Sequence, residues 1–259
     1  MIFWYSGTGN SYWAASEMAK YFDDRLIPIA DAVRNGEYEY ELKHGEAIGI
    51  VCPVYYWGVP QTVKTFAENV CFPGGKHYTW LLTTCGGSSC AAVDLINETL
   101  PVDWFAELRM PDNFILMMND VRHRDEIRAT LMNARNEMGK IYNAVRKREK
   151  KDIGKNLFIF SRFITKKAWP HYHKQRTTEK YYATDACTGC GKCAKNCPVQ
   201  AIEMRDGKPV WVKETCDFCL GCVHRCPAKA LQRGKATVKR GRYVHPIWKE
   251  TKGDSPFDV

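Results

Sequence analysis

A repeat of cysteines constrains this chain more than any other feature. Eight of its twelve cysteines lie between Cys187 and Cys226, as "CTGCGKCAKNCPVQAI" followed 29 residues later by "CDFCLGCVHRCPAKAL". Each copy reads Cys-x2-Cys-x2-Cys-x3-Cys-Pro, so three thiols fall at steps of three and the fourth is set apart by three residues and a proline. Self-similarity of this kind implies two like halves packed about a pseudo-twofold axis. About fifty residues this rich in thiols bury little apolar surface, and a metal bound by sulfur is expected to hold them folded.

Three thiolates at steps of three can wrap one cubane through a tight loop. Gly189, Gly191 and Gly221 let backbone amides approach the sulfurs, and such hydrogen bonds stabilise a cluster's negative charge and raise its potential. In the bacterial iron–sulfur run with this spacing, the fourth cysteine ligates the other cluster. Two [4Fe–4S] clusters are therefore expected, one on Cys187, Cys190, Cys193 and Cys226 and the other on Cys216, Cys219, Cys222 and Cys197. Structural zinc also uses paired Cys-x2-Cys, but it rarely needs three cysteines in seven residues, twice, with a Cys-Pro after each. Disulfides suit a small secreted chain, and no signal-peptide pattern opens this one. The "RDGKP" between the halves reads as a hairpin turn through Asp206-Gly207. Throughout its length the segment resembles the two-cluster bacterial ferredoxins.

The first part of the chain has a different rhythm. Apolar runs ("IFWY", "LIPI", "AIGIVCPV", "YTWLLTT") alternate with helix patterns from Asn10 to Phe22, near Gln61 to Val70, and through "AAVDLINETL". A further strand is expected around "AELRM". Alternation of this kind predicts a parallel sheet covered by helices on both faces. From Arg122 to about Arg148, the residues Ile127, Leu131, Ala134, Met138, Ile141 and Val145 recur at steps of four and three, giving one apolar face to lay on that sheet.

Within this part, "YSGTGNS" joins the first strand to the first helix. A glycine-rich turn there offers backbone amides, aligned with a helix dipole, to an anion such as phosphate. No lysine precedes Lys20, which argues against a nucleoside-triphosphate loop, and Tyr12 stands where the dinucleotide fingerprint needs its third glycine. What remains is a cradle for one terminal phosphomonoester, with hydroxyls from Ser6, Thr8 and Ser11 and amides from Gly7, Thr8, Gly9, Asn10 and Ser11.

On Ser6, Thr8, Gly9 and Ser11 the stretch resembles the phosphate loop of the flavodoxin family, whose ligand is FMN. The resemblance implies an α/β, doubly wound, five-stranded parallel sheet in the order 2-1-3-4-5, followed here by a small α+β ferredoxin-like domain with two [4Fe–4S] clusters. It also implies two loops about the flavin, "PVYYWGVP" and "TTCGGSS". These carry Pro53, Tyr55, Tyr56, Trp57 and Gly58, then Thr84, Cys85, Gly86 and Gly87, with Tyr55, Tyr56 and Trp57 as candidates to stack on the ring. The aspartate and tyrosine often found after the glycines of the second loop are absent, and Cys85 either touches the flavin or packs. Cys52, Cys71 and Cys90 are expected to be small buried hydrophobes.

Joined, the two parts resemble flavodoxin–ferredoxin fusion proteins of anaerobic bacteria and archaea. The expected division is a flavodoxin-like domain over 1–150, a basic linker over 151–182, the cluster domain over 183–233 and a basic tail over 234–259. A soluble, cytoplasmic protein is expected, because 45% of residues are hydrophobic and yet no stretch approaches the eighteen or so apolar residues of a membrane span. Neither His-Glu-x-x-His nor Gly-x-Ser-x-Gly occurs, so chemistry is expected to belong to the cofactors.

Clusters pass single electrons and FMN holds one or two, so the main expectation is electron transfer between the clusters, FMN and an external redox partner. The alternatives are an FMN-dependent reductase of a small organic substrate and, third, a redox sensor or nucleic-acid-binding regulator; no nucleic-acid partner is expected. The formal charge is +9, but two clusters and an FMN phosphate at roughly −2 each leave about +3. Arg146, Lys147, Arg148, Lys150, Lys151, Lys166 and Lys167 can steer an acidic ferredoxin or flavodoxin, or serve as a solvated face beside the clusters.

Overall fold

The computed structural model describes residues 1–117, 119–153 and 159–248. Five short strands, β1 (Ile2–Trp4), β2 (Leu26–Pro28), β3 (Ala47–Pro53), β4 (Tyr78–Cys85) and β5 (Trp104–Arg109), pair in parallel in the order β2-β1-β3-β4-β5. That order is the flavodoxin-like doubly wound arrangement. Alternation along the strands sorts the core into two layers. Phe3, Ile48, Ile50, Cys52 and Leu81 point to one face, where they meet Val63 and Phe66 of α3 (Gln61–Asn69) and Ile96 of the single-turn α4 (Asp94–Asn97). Ile2, Val51, Trp80, Leu82 and Leu108 point to the other, under Trp13 and Met18 of α1 (Asn10–Phe22) and Met138 and Ile141 of α5 (Arg124–Arg146). The four-and-three spacing read along α5 is thus the face it lays on the sheet.

Two local elements and two cysteines depart from the sequence expectation. A helix α2 (Ile29–Asn35) follows β2 directly and ends at Gly36 in the left-handed region; it was not expected. The helix expected through "AAVDLINETL" contracts to α4 with turns on either side. Cys52 is buried as expected, but Cys71 is exposed and Cys90 only half-buried. Cys71 lies at the margin, where it exchanges backbone hydrogen bonds with Tyr38 and Tyr40 and so turns its side chain to solvent.

The segment expected to link the modules carries a helix, α6 (Ile159–Gln175), which interrupts nothing in the sheet and bridges both modules. Thr165 donates from Oγ1 to the Trp57 carbonyl at 2.8 Å, and Trp169 Nε1 donates to the Val59 carbonyl at 3.0 Å. At the far end, the Tyr172 hydroxyl accepts from the Gln61 amide at 3.1 Å and donates to the Asp217 carbonyl at 3.1 Å. Tyr172 is fully buried.

The cysteine module is built on two small antiparallel pairs, β6 (Tyr181–Ala183) with β9 (Leu231–Arg233) and β7 (Ile202–Arg205) with β8 (Lys208–Trp211). The β7–β8 turn is Asp206-Gly207, with φ of 48° and 72°, the pair of left-handed residues a two-residue hairpin demands. Two one-turn helices, α7 (Lys192–Lys195) and α8 (Gly221–His224), occupy matching places in the two halves. The module's apolar cluster, with Phe218, Leu220, Val223 and Leu231, also takes Tyr172 from α6 and Ile115 and Leu116 from the loop after β5. It shares its core with the larger unit.

Finally, residues 234–248 of the expected tail fold back onto the phosphate loop. The His245 amide donates to the Thr8 carbonyl at 2.7 Å, and the Tyr243 hydroxyl to Asn10 Oδ1 at 2.7 Å. The rest of that expected tail, from residue 249, lies outside the described residues.

Candidate functional site

The cysteine module contains two cavities, each lined by three cysteines of one repeat and the fourth of the other. One is walled by Cys187, Cys190, Cys193 and Cys226, and the other by Cys197, Cys216, Cys219 and Cys222. Proline follows Cys197 and Cys226 and prevents the short helices α7 and α8 from continuing past them, which turns each fourth cysteine toward the opposite half. All twelve cysteines are free thiols. Among the described residues no three His, Cys, Asp or Glu side chains close on a single ion.

Backbone amides point at the sulfurs. Ala201 donates to Cys197 Sγ at 3.3 Å, Phe218 to Cys216 Sγ at 3.3 Å, Gly221 to Cys219 Sγ at 3.5 Å and Ala230 to Cys226 Sγ at 3.2 Å. Such donors favour negative charge on sulfur. Against them, burial pushes the Cys216 thiol up to about 11 and Cys219 up to about 12, and Cys222 is raised by burial and by the neighbouring thiols. A ring of buried thiols becomes a ring of thiolates only around a cation that displaces the protons. This donor set, with its apolar walls of Tyr181, Ile202, Trp211 and Leu220 in the second pocket, fits an iron–sulfur cluster.

The two pockets differ in outlook. Cys190 of the first is exposed, whereas the second lies against the sheet domain. A Cβ placed on Gly7 would come within 2.9 Å of the Cys219 carbonyl oxygen. The second pocket and the phosphate loop therefore touch through backbone.

At the carboxyl ends of β1, β3 and β4, a third cavity opens on Ser6, Gly7, Thr8, Asn10 and Ser11 of that loop, on Pro53 and Tyr55, and on Thr84, Cys85 and Gly86. It sits at the switch point between β1 and β3, the place where ligands bind in doubly wound sheets. Gly9 takes the N-cap position of α1 at φ 101°, and no side chain caps the helix, which leaves the first-turn amides to an anion. Ser6 Oγ accepts from the Gly9 amide at 3.0 Å, fixing the loop, and Ser11 Oγ pairs with Thr84 Oγ1 at 2.7 Å, joining it to β4. The buried Tyr55 hydroxyl has no hydrogen-bond partner among the described residues. An uncapped helix start and an orphaned phenol in one polar cavity fit a phosphorylated ligand with hydroxyls, such as FMN.

Other expected ring contacts lie elsewhere. Tyr56 and Trp57 are the middle of a two-residue turn, at φ 51° and 58°, closed by reciprocal backbone hydrogen bonds between Tyr55 and Gly58 of 2.9 and 3.0 Å. Tyr56 packs on Phe114 and Phe218, Trp57 is 43% exposed, and Gly58 lies under the Trp169 ring. Neither they nor Gly9 and Gly87 line the cavity. Cys85 does line it; burial pushes its thiol up to about 12, and it donates to the Gly87 carbonyl at 3.3 Å.

Three residues on the cavity wall, Pro111, Asp112 and Asn113, come from the loop after β5 and were not singled out from sequence. Asn113 Nδ2 donates to Thr8 Oγ1 at 2.7 Å, and Asp112 packs on Gly86. The "PDN" triplet is a turn signal and nothing more, because its partners lie a hundred residues away.

Residues 179–227 match the family of 4Fe-4S dicluster domains. Among solved structures, a candidate flavoprotein from Bacteroides eggerthii is similar at 17% identity with a TM-score of 0.32, over 51% of this chain and 95% of that one. A candidate flavoprotein from Bacteroides uniformis is similar at 14% identity and TM-score 0.29, over 42% and 88%. The Trp repressor binding protein of Bacillus subtilis is similar at 13% identity and TM-score 0.29, over 51% and 93%. No curated protein matches the chain in sequence. The fold assignment rests on the strand order itself.

Proposed function

We propose that this chain is an electron-transfer relay of the cytoplasm, carrying electrons between an external redox partner, two [4Fe–4S] clusters and FMN. Cys187, Cys190, Cys193 and Cys226 would hold the outer cluster and Cys197, Cys216, Cys219 and Cys222 the inner one. The clusters supply one-electron steps, and FMN supplies a site that accepts one or two electrons. Amides of the phosphate loop and the α1 dipole bind the phosphate, Tyr55 offers its phenol, and Gly86 lets backbone approach the ligand.

The contact between Cys219 and Gly7 carries this reading. It brings the backbone of the inner-pocket loop against the phosphate loop, with the Tyr55 hydroxyl at the same place, and would give electrons a short packed path from one pocket to the other. An order of traffic follows: exposed pocket, inner pocket, flavin cavity, or the reverse.

The external partner is an acidic redox protein, a ferredoxin or flavodoxin. Much of the basic stretch is already engaged within the molecule: Lys150 pairs with Asp103 at 2.7 Å, Lys151 donates to the Phe105 carbonyl at 2.8 Å, and Arg148 donates to the Gly45 carbonyl. Lys166 and Lys167 on α6 are exposed and remain the better steering charges. No helix among the described residues is long and apolar enough to cross a membrane.

Anaerobic reconstitution tests the proposal. About eight irons and one FMN per chain are expected. Stepwise reduction followed by visible absorption and EPR should show electrons shared between clusters and flavin. Oxygen-protected protein that holds neither iron–sulfur clusters nor flavin overturns it.

A further inference from the structure

Arg225 directly follows α8 and is 8% exposed, between the cysteine module and the sheet domain. Its Nη2 donates to the Gly7 carbonyl of the phosphate loop. Its Nη1 donates at 3.1 Å to the carbonyl of Asn196, the residue before Cys197. Beneath the guanidinium lies the indole of Trp248, with the central carbon 3.8 Å from the ring centroid. A planar fork held by two carbonyls and an aromatic face has one orientation, which a lysine could not reproduce. A Cβ on Gly221 would stand 3.4 Å from Cys219 Sγ and 3.6 Å from the guanidinium carbon, so the charge lies beside the inner pocket.

The bond to Gly7 matters because of peptide geometry. The Gly7 carbonyl and the Thr8 amide belong to one trans peptide plane and point in opposite directions. Holding the oxygen therefore fixes the direction of the Thr8 N–H. The next carbonyl, of Thr8, is held in turn by the His245 amide. A loop that binds an anion through its amides must keep its carbonyls turned away, and here two successive carbonyls are pinned from the C-terminal side.

We propose that Arg225 is a positioning residue shared by both cofactors: it sets the Gly7–Thr8 peptide of the phosphate loop and places a fixed positive charge beside the Cys197, Cys216, Cys219 and Cys222 pocket. This rests on the proposed relay. A fixed positive charge stabilises the reduced, more negative state of a cluster and so raises its potential. The same guanidinium, acting through Gly7, favours a phosphate over a neutral ligand end.

Full-length protein loaded with iron and flavin tests it with Arg225→Gln and Arg225→Lys, read by EPR-monitored redox titration and by binding of FMN against riboflavin, which lacks the phosphate. In the Gln variant, the potential of one cluster should fall while the other stays. FMN binding should weaken by roughly tenfold, which corresponds to about 1.4 kcal/mol, with riboflavin binding unchanged. The Lys variant, with the charge but without the fork, should keep the potential and lose FMN affinity. Unchanged potentials in the Gln variant, or equal losses of FMN and riboflavin, overturn the inference. If the Gln variant fails to hold iron, the Lys variant decides: a kept potential with a selective loss of FMN supports the inference, and a fallen potential or an unselective loss overturns it. Wild-type protein without clusters or flavin removes the relay as well, whereas the other contrary outcomes leave the relay standing.

Discussion

Gly7 and Gly221 meet backbone to backbone, so closely that a Cβ on Gly221 would stand 2.8 Å from the Gly7 carbonyl oxygen. One belongs to the phosphate loop and the other to the turn of the inner cysteine pocket. They lie more than two hundred residues apart in the chain, and their contact joins the two modules.

Gly221→Ala puts a methyl group into that contact, where the nearest atom belongs to backbone and cannot swing aside. Overpacking of this kind costs about 1–3 kcal/mol. The expected outcome is a lower denaturation midpoint and slower electron passage between cluster and flavin with iron content retained, measured by chemical unfolding and anaerobic stopped-flow absorption. An unchanged rate and midpoint would show that the modules do not communicate here.

Crossed ligation makes a specific pattern of losses. Cys226→Ser should abolish the same EPR signal as Cys190→Ser, although Cys226 sits in the second repeat, and Cys197→Ser should abolish the same signal as Cys219→Ser. Each variant should retain about half the iron. Loss of one signal by Cys226→Ser and Cys222→Ser alike would contradict the arrangement of the two pockets.

His245 gives the C-terminal segment a pH dependence. Burial, followed by the nearby Arg135, holds its imidazole down at about 3, against an ordinary value near 6.5. Its Nδ1 accepts from the Ile247 amide at 3.2 Å, and its ring stacks on Trp13 at 5.4 Å. The folded state therefore holds the neutral ring, and the unfolded chain takes up the proton first. The contribution is fully present above pH 6.5 and is lost as pH falls toward 3, with a limiting slope of about 1.4 kcal/mol per pH unit. Unfolding measured between pH 7 and pH 4 should show this decline, and His245→Asn, which keeps an acceptor for Ile247, should make it shallower, the remainder belonging to His224, which burial pushes down to about 4.

Reversing Lys166 and Lys167 to glutamate should lower the association rate with an acidic redox partner and reduce its salt dependence, without loss of stability, because both side chains are exposed. Lys150→Glu should act differently. It breaks the 2.7 Å pair with Asp103, mostly exposed on the lysine side, so a change within about 1 kcal/mol in stability is expected, with little effect on association. Stopped-flow mixing at several ionic strengths separates the two cases.

The strands, the long helix α5 and the phosphate loop were legible in sequence because each rests on a local regularity: the unbroken apolar run of β3, the four-and-three steps from Ile127 to Val145, the glycines after Tyr5. The cysteine spacing was legible for a similar reason, since ligation imposes its geometry over seven residues. What stayed hidden was written in long-range pairing. The helix α6 buries only Thr165 and Tyr172 fully, so its amphipathic signal is faint. Nothing local in "GRYVHPIW" announces that Tyr243 will reach Asn10 or that Trp248 will lie under Arg225. The flavin loop was legible as a loop, but not in orientation: the Tyr56-Trp57 turn directs those rings toward Phe114, Phe218 and solvent.

Exposure of Cys190 has a consequence for how such a molecule ages. In the proposed relay, dioxygen and scavenging thiols would reach the quartet of Cys190 before the one pressed against the sheet, so corrosion would proceed from the rim inward. A partly aged sample would keep its interior centre while having lost its connection to the outside.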